Sequence, residues 1–213
     1  MKRPFASISP TTFTRRGWQG RKTGGTVKTG YDMCSTLSMA RTRQTVTGDK
    51  TRVSETVLPH PAESNDYLAG HVQLLRDSLR ALTGRDLVGD DLSALEAARQ
   101  VFHAPFVVLS HNTNTDPILT YANLAALQLF EMPWEDLILT PSRLTAEATV
   151  RAERERLLTR VAAQGFIDDY SGVRVSCSGR RFSINKATVW NLTDPAGQYR
   201  GQAAMFANWT FLI

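Results

Sequence analysis

Apolar residues first recur at helical spacing from Ser64 onward. Leu68, Val72, Leu75, Leu79 and Leu82 follow at steps of four, three, four and three, and Gly84 stands where a C-terminal cap belongs. The stripe covers about two heptads, too few for a standalone coiled coil. It is read in two ways: as a helix docked on its own domain, or as a helix that also meets its copy in a dimer. Next, Ser93-Ala-Leu-Glu96 has the form of a capping box, in which two side chains satisfy each other's orphan backbone donors. It predicts a short helix through about Phe102, ended by Ala104-Pro105.

The pattern then changes. Phe106 to Ser110 is a short apolar run and reads as a buried strand; the turn cluster 112–117 leads to a second strand over Ile118 to Tyr121. In LTYANLAALQLF, residues 119–130, a strand passes straight into a helical run, and Asn123 is the natural pivot because its side-chain oxygen can cap a helix from Leu124 to Phe130. A helical turn is expected over Met132–Leu137, with Pro133 at its start. The longest helix is expected over Thr145–Gln164, supported by Glu147 to Arg151 and Arg151 to Glu155 and stopped by Gly165.

The last quarter is strand-like: Tyr170 to Cys177, Arg181 to Leu192, and Tyr199 to Leu212, separated by turns at 178–180 and 194–197. Strict alternation puts Phe182, Ile184, Thr188, Trp190 and Leu192 on one face. In the last strand it puts Ala204 and Phe206 on one face, with Met205, Trp209 and Phe211 on the other. Both sheet faces are then partly apolar, so both need a cover, and the helix from Ser64 is the expected lid on one of them. The fold class is α+β, with a five-stranded antiparallel sheet, flanking short helices and a preceding amphipathic helix.

Charge divides the chain. Residues 1–52 hold eleven Lys/Arg against Asp32 and Asp49, a net of +9, so the total of +5 leaves −4 for the remainder. Residues 1–62, rich in Thr, Ser, Gly and Arg, read as a disordered basic tail. It is a transit peptide, upstream sequence from a miscalled start, or a polyanion-binding arm. Residues 64–213 form the folded domain. Nucleic-acid contact is expected only through the tail. No apolar window is long enough to span a bilayer. The two cysteines, Cys34 and Cys177, suit a reduced, cytoplasmic setting, or an organelle such as a plastid if the tail is a transit peptide. Cys177 is expected to be an exposed or edge thiol.

Catalytic and metal chemistry find little to build on. The four histidines, His60, His71, His103 and His111, show no metal-ligand spacing, and there is no phosphate loop or nucleophile elbow. Asp168 and Asp169 point to opposite faces of a strand and are expected to pair with the strand's neighbours or with Arg174. Metal sites and catalytic residues are therefore not expected. A pocket remains. Tyr121, Asn123, Trp134, Arg143, Trp190 and Asn208 are the candidate lining between sheet and helices, with Arg143 able to fork onto a carboxylate ligand. The competing reading pairs Arg143 with an internal carboxylate and makes the tryptophans core.

The element order, with Tyr121-Ala-Asn123 leading into Ala125-Ala126-Leu127 and Phe130, resembles a PAS domain. The blocks starting at His71-Val-Gln, Ala104-Pro-Phe, Thr140-Pro-Ser, Gln164-Gly-Phe and Ala187-Thr-Val resemble, in order, the MEKHLA domain, a PAS-like family. That family occurs alone in bacteria and algae and at the C-terminus of plant homeodomain–leucine zipper transcription factors. The resemblance spans about 64–213 and implies a PAS-like sensing or dimer-regulating module without an established ligand or activity. Flavin is not expected, since light-sensing relatives carry a reactive Cys on the long helical segment and this chain has none there. Haem is not expected either, for want of a histidine on the long helix. The cofactor is left unassigned.

The expected function is a non-catalytic sensory or regulatory module that binds a small molecule or a protein partner and forms a homodimer through the Leu68–Leu82 stripe. The alternatives are a ligand-free homodimerisation domain and, behind it, a small α+β enzyme.

Overall fold

The structure is a computed structural model that describes residues 58–147 and 151–213, and the side chains of 151–156 and 158 are not described. Almost all of the basic tail, 1–62, lies outside the described residues. Its last five residues do not: Trp134 Nε1 donates to the Leu58 carbonyl at 2.9 Å, and the His60 ring meets Phe102 and Trp134 edge-on.

Helix α1 spans Ala69–Thr83, α2 Ala94–Phe102, α3 Leu124–Phe130, α4 Trp134–Leu137 and α5 Arg151–Gln164. Strands are β1 Val107–His111, β2 Leu119–Ala122, β3 Phe166–Val175, β4 Arg181–Thr193, β5 Tyr199–Phe206 and β6 Asn208–Phe211. All pair antiparallel, in the order β2-β1-β5-β4-β3, and β6 pairs with β4 beyond β5. This is the expected fold class.

Two helix starts differ from the sequence reading. Asp66, Tyr67 and Leu68 all adopt left-handed φ near +50°, so a tight turn over Glu63–Leu68 precedes α1 and the helix begins at Ala69 rather than Ser64. Thr145 closes another tight turn, Ser142–Thr145, and Ala146 is extended and bridges Arg174. Glu147 consequently pairs with Arg181 across the fold instead of supporting a helix, and α5 starts at Arg151.

The alternation reading needs a larger correction. Phe182 and Ile184 pack in the core under α3–α5, and so do Ala187 and Val189, whereas Trp190 and Leu192 pack under α1. Lys186 at φ +54° shifts the parity of β4, and the partner strand bends opposite it at Ala207, between β5 and β6. Register is unchanged across the break, with Thr188 opposite Met205 and Asn185 opposite Asn208. Both strands therefore swap faces together: Ala204, Phe206 and Trp209 share the α3–α5 side while Met205 packs on the α1 side. A period-two pattern that slips by one residue exchanges its faces, and a local break is how a strand does so without losing its ladder.

Each sheet face has its own core. On one, Val72, Leu75 and Leu79 of α1 cover Val108, Tyr121, Trp190, Leu192 and Ala203. On the other, α3, α4 and α5 cover Val107, Phe182, Ile184, Ala187, Val189 and Phe206. The lid assigned to the first helix is thus observed. The same packing fully buries Val72, Leu75 and Leu79, with Leu68 and Leu82 partly buried at the ends, so the stripe is spent on its own sheet. Cys177 is also buried in the second core, contrary to the exposed thiol expected, because its N–H donates to Phe130 O and draws the strand end inward.

Candidate functional site

Asn123 fixes the corner between β2 and α3. Its Oδ1 accepts from Ala126 N–H at 3.1 Å and Val108 N–H at 3.0 Å, and its Nδ2 donates to Val101 O at 3.1 Å and Phe106 O at 2.7 Å. One buried amide thus ties β1, the end of α2 and the start of α3. Its hydrogen-bonding capacity is used inside the protein.

The other five candidate lining residues scatter. Tyr121 and Trp190 face α1, on the opposite side of the sheet from α3–α5, and Trp190 Nε1 donates to Leu75 O at 3.2 Å. Trp134 packs in the α3–α5 core with its indole committed to Leu58. Arg143 is half-exposed and forks onto Asp116, with Nε at 2.9 Å from Oδ1 and Nη2 at 3.0 Å from Oδ2, the internal pairing weighed from the sequence. Asn208 is exposed opposite Asn185. The structure does not bring the six together.

A cavity lies elsewhere, between the α3–α5 face of the sheet and Ser142, Thr145, Ala146 and Leu157. It measures about 80 Å³. Leu109, Phe130, Leu157, Ile184, Ala187, Val189, Ala204 and Phe206 give it apolar walls, and Ser142, Thr145, Tyr170, Arg174, His111 and Gln202 bring polar groups to it. Gln202 Nε2 donates to Asn191 Oδ1 at 3.1 Å, and Thr145 Oγ1 donates to Ser142 O at 2.8 Å. The Arg174 guanidinium lies 5.1 Å over the Tyr170 ring. Asp168 and Asp169 do not reach Arg174. They pair with Arg85 at 3.5 Å and Arg160 at 3.2 Å, on the outer surface.

Across the sheet, beneath the start of α1, His71 Nε2 lies 2.9 Å from Ser110 Oγ, which in turn lies 3.0 Å from Thr120 Oγ1. Tyr121 stacks on the imidazole at 5.4 Å between centroids. Burial pushes the His71 pKa down to about 4 and raises that of Tyr121, so both are neutral near pH 7. Among the described residues no group of three His, Cys, Asp or Glu side chains could hold a metal ion.

The MEKHLA domain family matches residues 69–211. The chain belongs to the MEKHLA family. Curated relatives of this MEKHLA chain include homeobox-leucine zipper protein ATHB-14 of Arabidopsis thaliana, 27% identical over 194 residues, covering 84% of this chain and 22% of that protein. Homeobox-leucine zipper protein HOX29 of Oryza sativa subsp. indica is 30% identical over 119 residues, or 54% of this chain and 13% of that one. The chain thus spans about a fifth or less of the length of these relatives. Among solved structures, the PAS domain of a Colwellia psychrerythraea protein aligns with TM-score 0.47 and 12% identity, over 55% of this chain and 94% of that one. An RNA-binding light-oxygen-voltage receptor aligns with TM-score 0.48 and 16% identity, over 58% of this chain and 36% of that one. Among the described residues, no helix is long and apolar enough to cross a membrane.

Sequence reasoning missed Arg174, Gln202 and Thr145 as lining of the MEKHLA cavity. Arg174 and Gln202 lie on strands β3 and β5, and the side of the sheet that each serves depends on where the ladders break, which strict alternation does not locate. Thr145 was assigned to a helix, and its extended neighbour Ala146 puts it at the cavity instead.

Proposed function

We propose that this MEKHLA domain is a sensory or regulatory module whose input is a small molecule bound in the cavity between the sheet and Ser142, Thr145, Ala146 and Leu157. The observation that carries this reading is the cavity itself: a concave site with apolar walls and a few convergent polar groups is the usual make-up of a ligand site. The module acts by binding rather than by catalysis. The imidazole of His71 is neutral, hydrogen-bonded and on the other side of the sheet from the cavity, and the carboxylates of Asp168 and Asp169 are on the outside. The homeobox-leucine zipper relatives support a module that regulates neighbouring parts of a chain, since the match fills about a fifth of ATHB-14.

The output is a shift in the α3–α5 side of the fold passed to a protein partner or to a second copy of the chain. The Leu68–Leu82 stripe is occupied by the chain's own sheet, so a dimer would use another surface of α1. Native mass spectrometry of the full chain, purified without added ligand, tests the input. The expected result is a reproducible excess mass that is lost on denaturation. A clean apo mass from several expression hosts, with no stabilising compound found by screening, would remove the small-molecule input.

A further inference from the structure

Arginine pairing on this surface is nearly complete. Of the ten arginines whose side chains are described, eight form ion pairs with carboxylates. The remaining two are Arg99, exposed on α2, and Arg174, half-buried on β3 and lining the cavity. Among the described residues the Arg174 side chain makes one hydrogen bond, from Nη1 to Val173 O at 3.2 Å. A guanidinium carries five N–H donors in a planar fork that matches a carboxylate. A cation lining an apolar chamber, with most of its donors unspent among the described residues, is the complement of an anion.

The other cavity groups narrow the class. Ser142, Thr145 and Gln202 are neutral, and among the described lining residues Arg174 is the only Arg or Lys, so the guanidinium balances a single negative charge. The walls are aliphatic and aromatic, which suits a hydrocarbon part and disfavours a fully hydrated ion. The volume of about 80 Å³ admits roughly five to eight water-sized groups. From these three facts we infer that the cavity takes a compact monocarboxylate, its carboxylate forked by Arg174 and its short hydrocarbon chain packed against Leu109, Ile184, Val189 and Phe206. This rests on the cavity's being the binding site proposed above, and it specifies what that site selects.

The test uses isobutyrate as probe, with its neutral isostere isobutyramide and inorganic phosphate as controls, titrated into the ¹⁵N-labelled full chain. The backbone amides of Ala187, Val189 and Ala204 report the cavity. The expected result is saturable shifts at these amides with isobutyrate and at least about tenfold weaker binding of isobutyramide. Arg174→Gln should weaken isobutyrate binding about tenfold or more, the usual loss for a charge-assisted hydrogen bond, and Arg174→Lys, which keeps charge without the fork, should fall between. If isobutyramide binds as well as isobutyrate, or if Arg174→Gln binds unchanged, the carboxylate assignment is overturned while the cavity reading stands. Phosphate shifting the same amides more strongly than isobutyrate overturns it too. Should no probe perturb these amides, the inference fails, and the native mass measurement decides separately whether the cavity holds anything else. Because the acid and the amide are compared on the wild-type chain, the result does not depend on the variants folding.

Discussion

His71 shows how a single residue reports its surroundings. Its ring is stacked on Tyr121 and hydrogen-bonded to Ser110 Oγ, with Thr120 beyond, and the cost of charging it there holds its pKa at about 4 against an ordinary 6.5. The folded state therefore resists a proton that the unfolded chain accepts. His71 contributes full stability above pH 6.5, and that contribution is lost as pH falls from 6.5 toward 4. The carboxylates with shifted values, Asp86, Glu96, Glu131 and Asp194, are all moved below their ordinary 3.8 or 4.5, so their losses occur at lower pH. Urea unfolding followed from pH 7 to pH 4.5 should show stability falling by on the order of 2 kcal/mol. His71→Phe should flatten that slope; an unchanged slope in the variant would place the titrating group elsewhere. At the same scale, Asn123 was legible from sequence because a capping residue announces itself locally. Arg143 and Arg174 were not separable, because which arginine finds an internal carboxylate depends on where residue 116 lands.

Between elements, the α1–α2 connection is held by one buried carboxylate. Asp86 accepts from Arg76 Nε and Nη2, each at 2.9 Å, from the Leu87 N–H and from Arg80, while Arg76 Nη2 also donates to Gly89 O at 3.1 Å. Burial alone would raise the Asp86 pKa, but the hydrogen bonds and charge of Arg76 outweigh it and hold it low. Both side chains are only 3% exposed, so removing one strands the other. Asp86→Ala should cost about 3–5 kcal/mol in urea unfolding, and Arg76→Met with Asp86→Leu together should recover much of it. A single-variant loss under 1 kcal/mol would mean that the pair does not hold α1 in place. The Ser93 capping box, Gly84 cap and Asn123 pivot were readable because their signals lie within four residues. The face swap at Lys186 and Ala207 was not. Lysine carries no preference for positive φ, and the swap is imposed by two strands bending together. Glycine did give the opposite kind of signal at Gly201, where φ is +121° and a Cβ would stand 1.9 Å from the His111 carbonyl oxygen. That close approach lets β5 lie against β1 at the cavity's edge.

For the whole molecule, the plan is a sheet with two covered faces and two unequal cores. Tryptophan, tyrosine and aliphatic side chains pack on the α1 face, while the α3–α5 face keeps a cavity lined by small residues, Ala187 and Ala204, and by Arg174. Family and fold class were legible in the sequence because order of elements and blocks of residues survive small errors at element ends. The cavity was not, since it depends on what the sheet leaves unfilled, a property of three dimensions. The same geometry gives the most direct test. Ala187 is fully buried and lines the cavity, so Ala187→Leu should fill that space and fold with a stability change under about 1 kcal/mol, less than the usual cost of overpacking. Thermal shift of the full chain against a library of small organic acids, run in parallel on wild type and Ala187→Leu, is the measurement to make. The account predicts compounds that raise the melting temperature of the wild type and leave the filled variant unmoved. Compounds that stabilise both chains equally would contradict it, because they would bind somewhere other than the cavity.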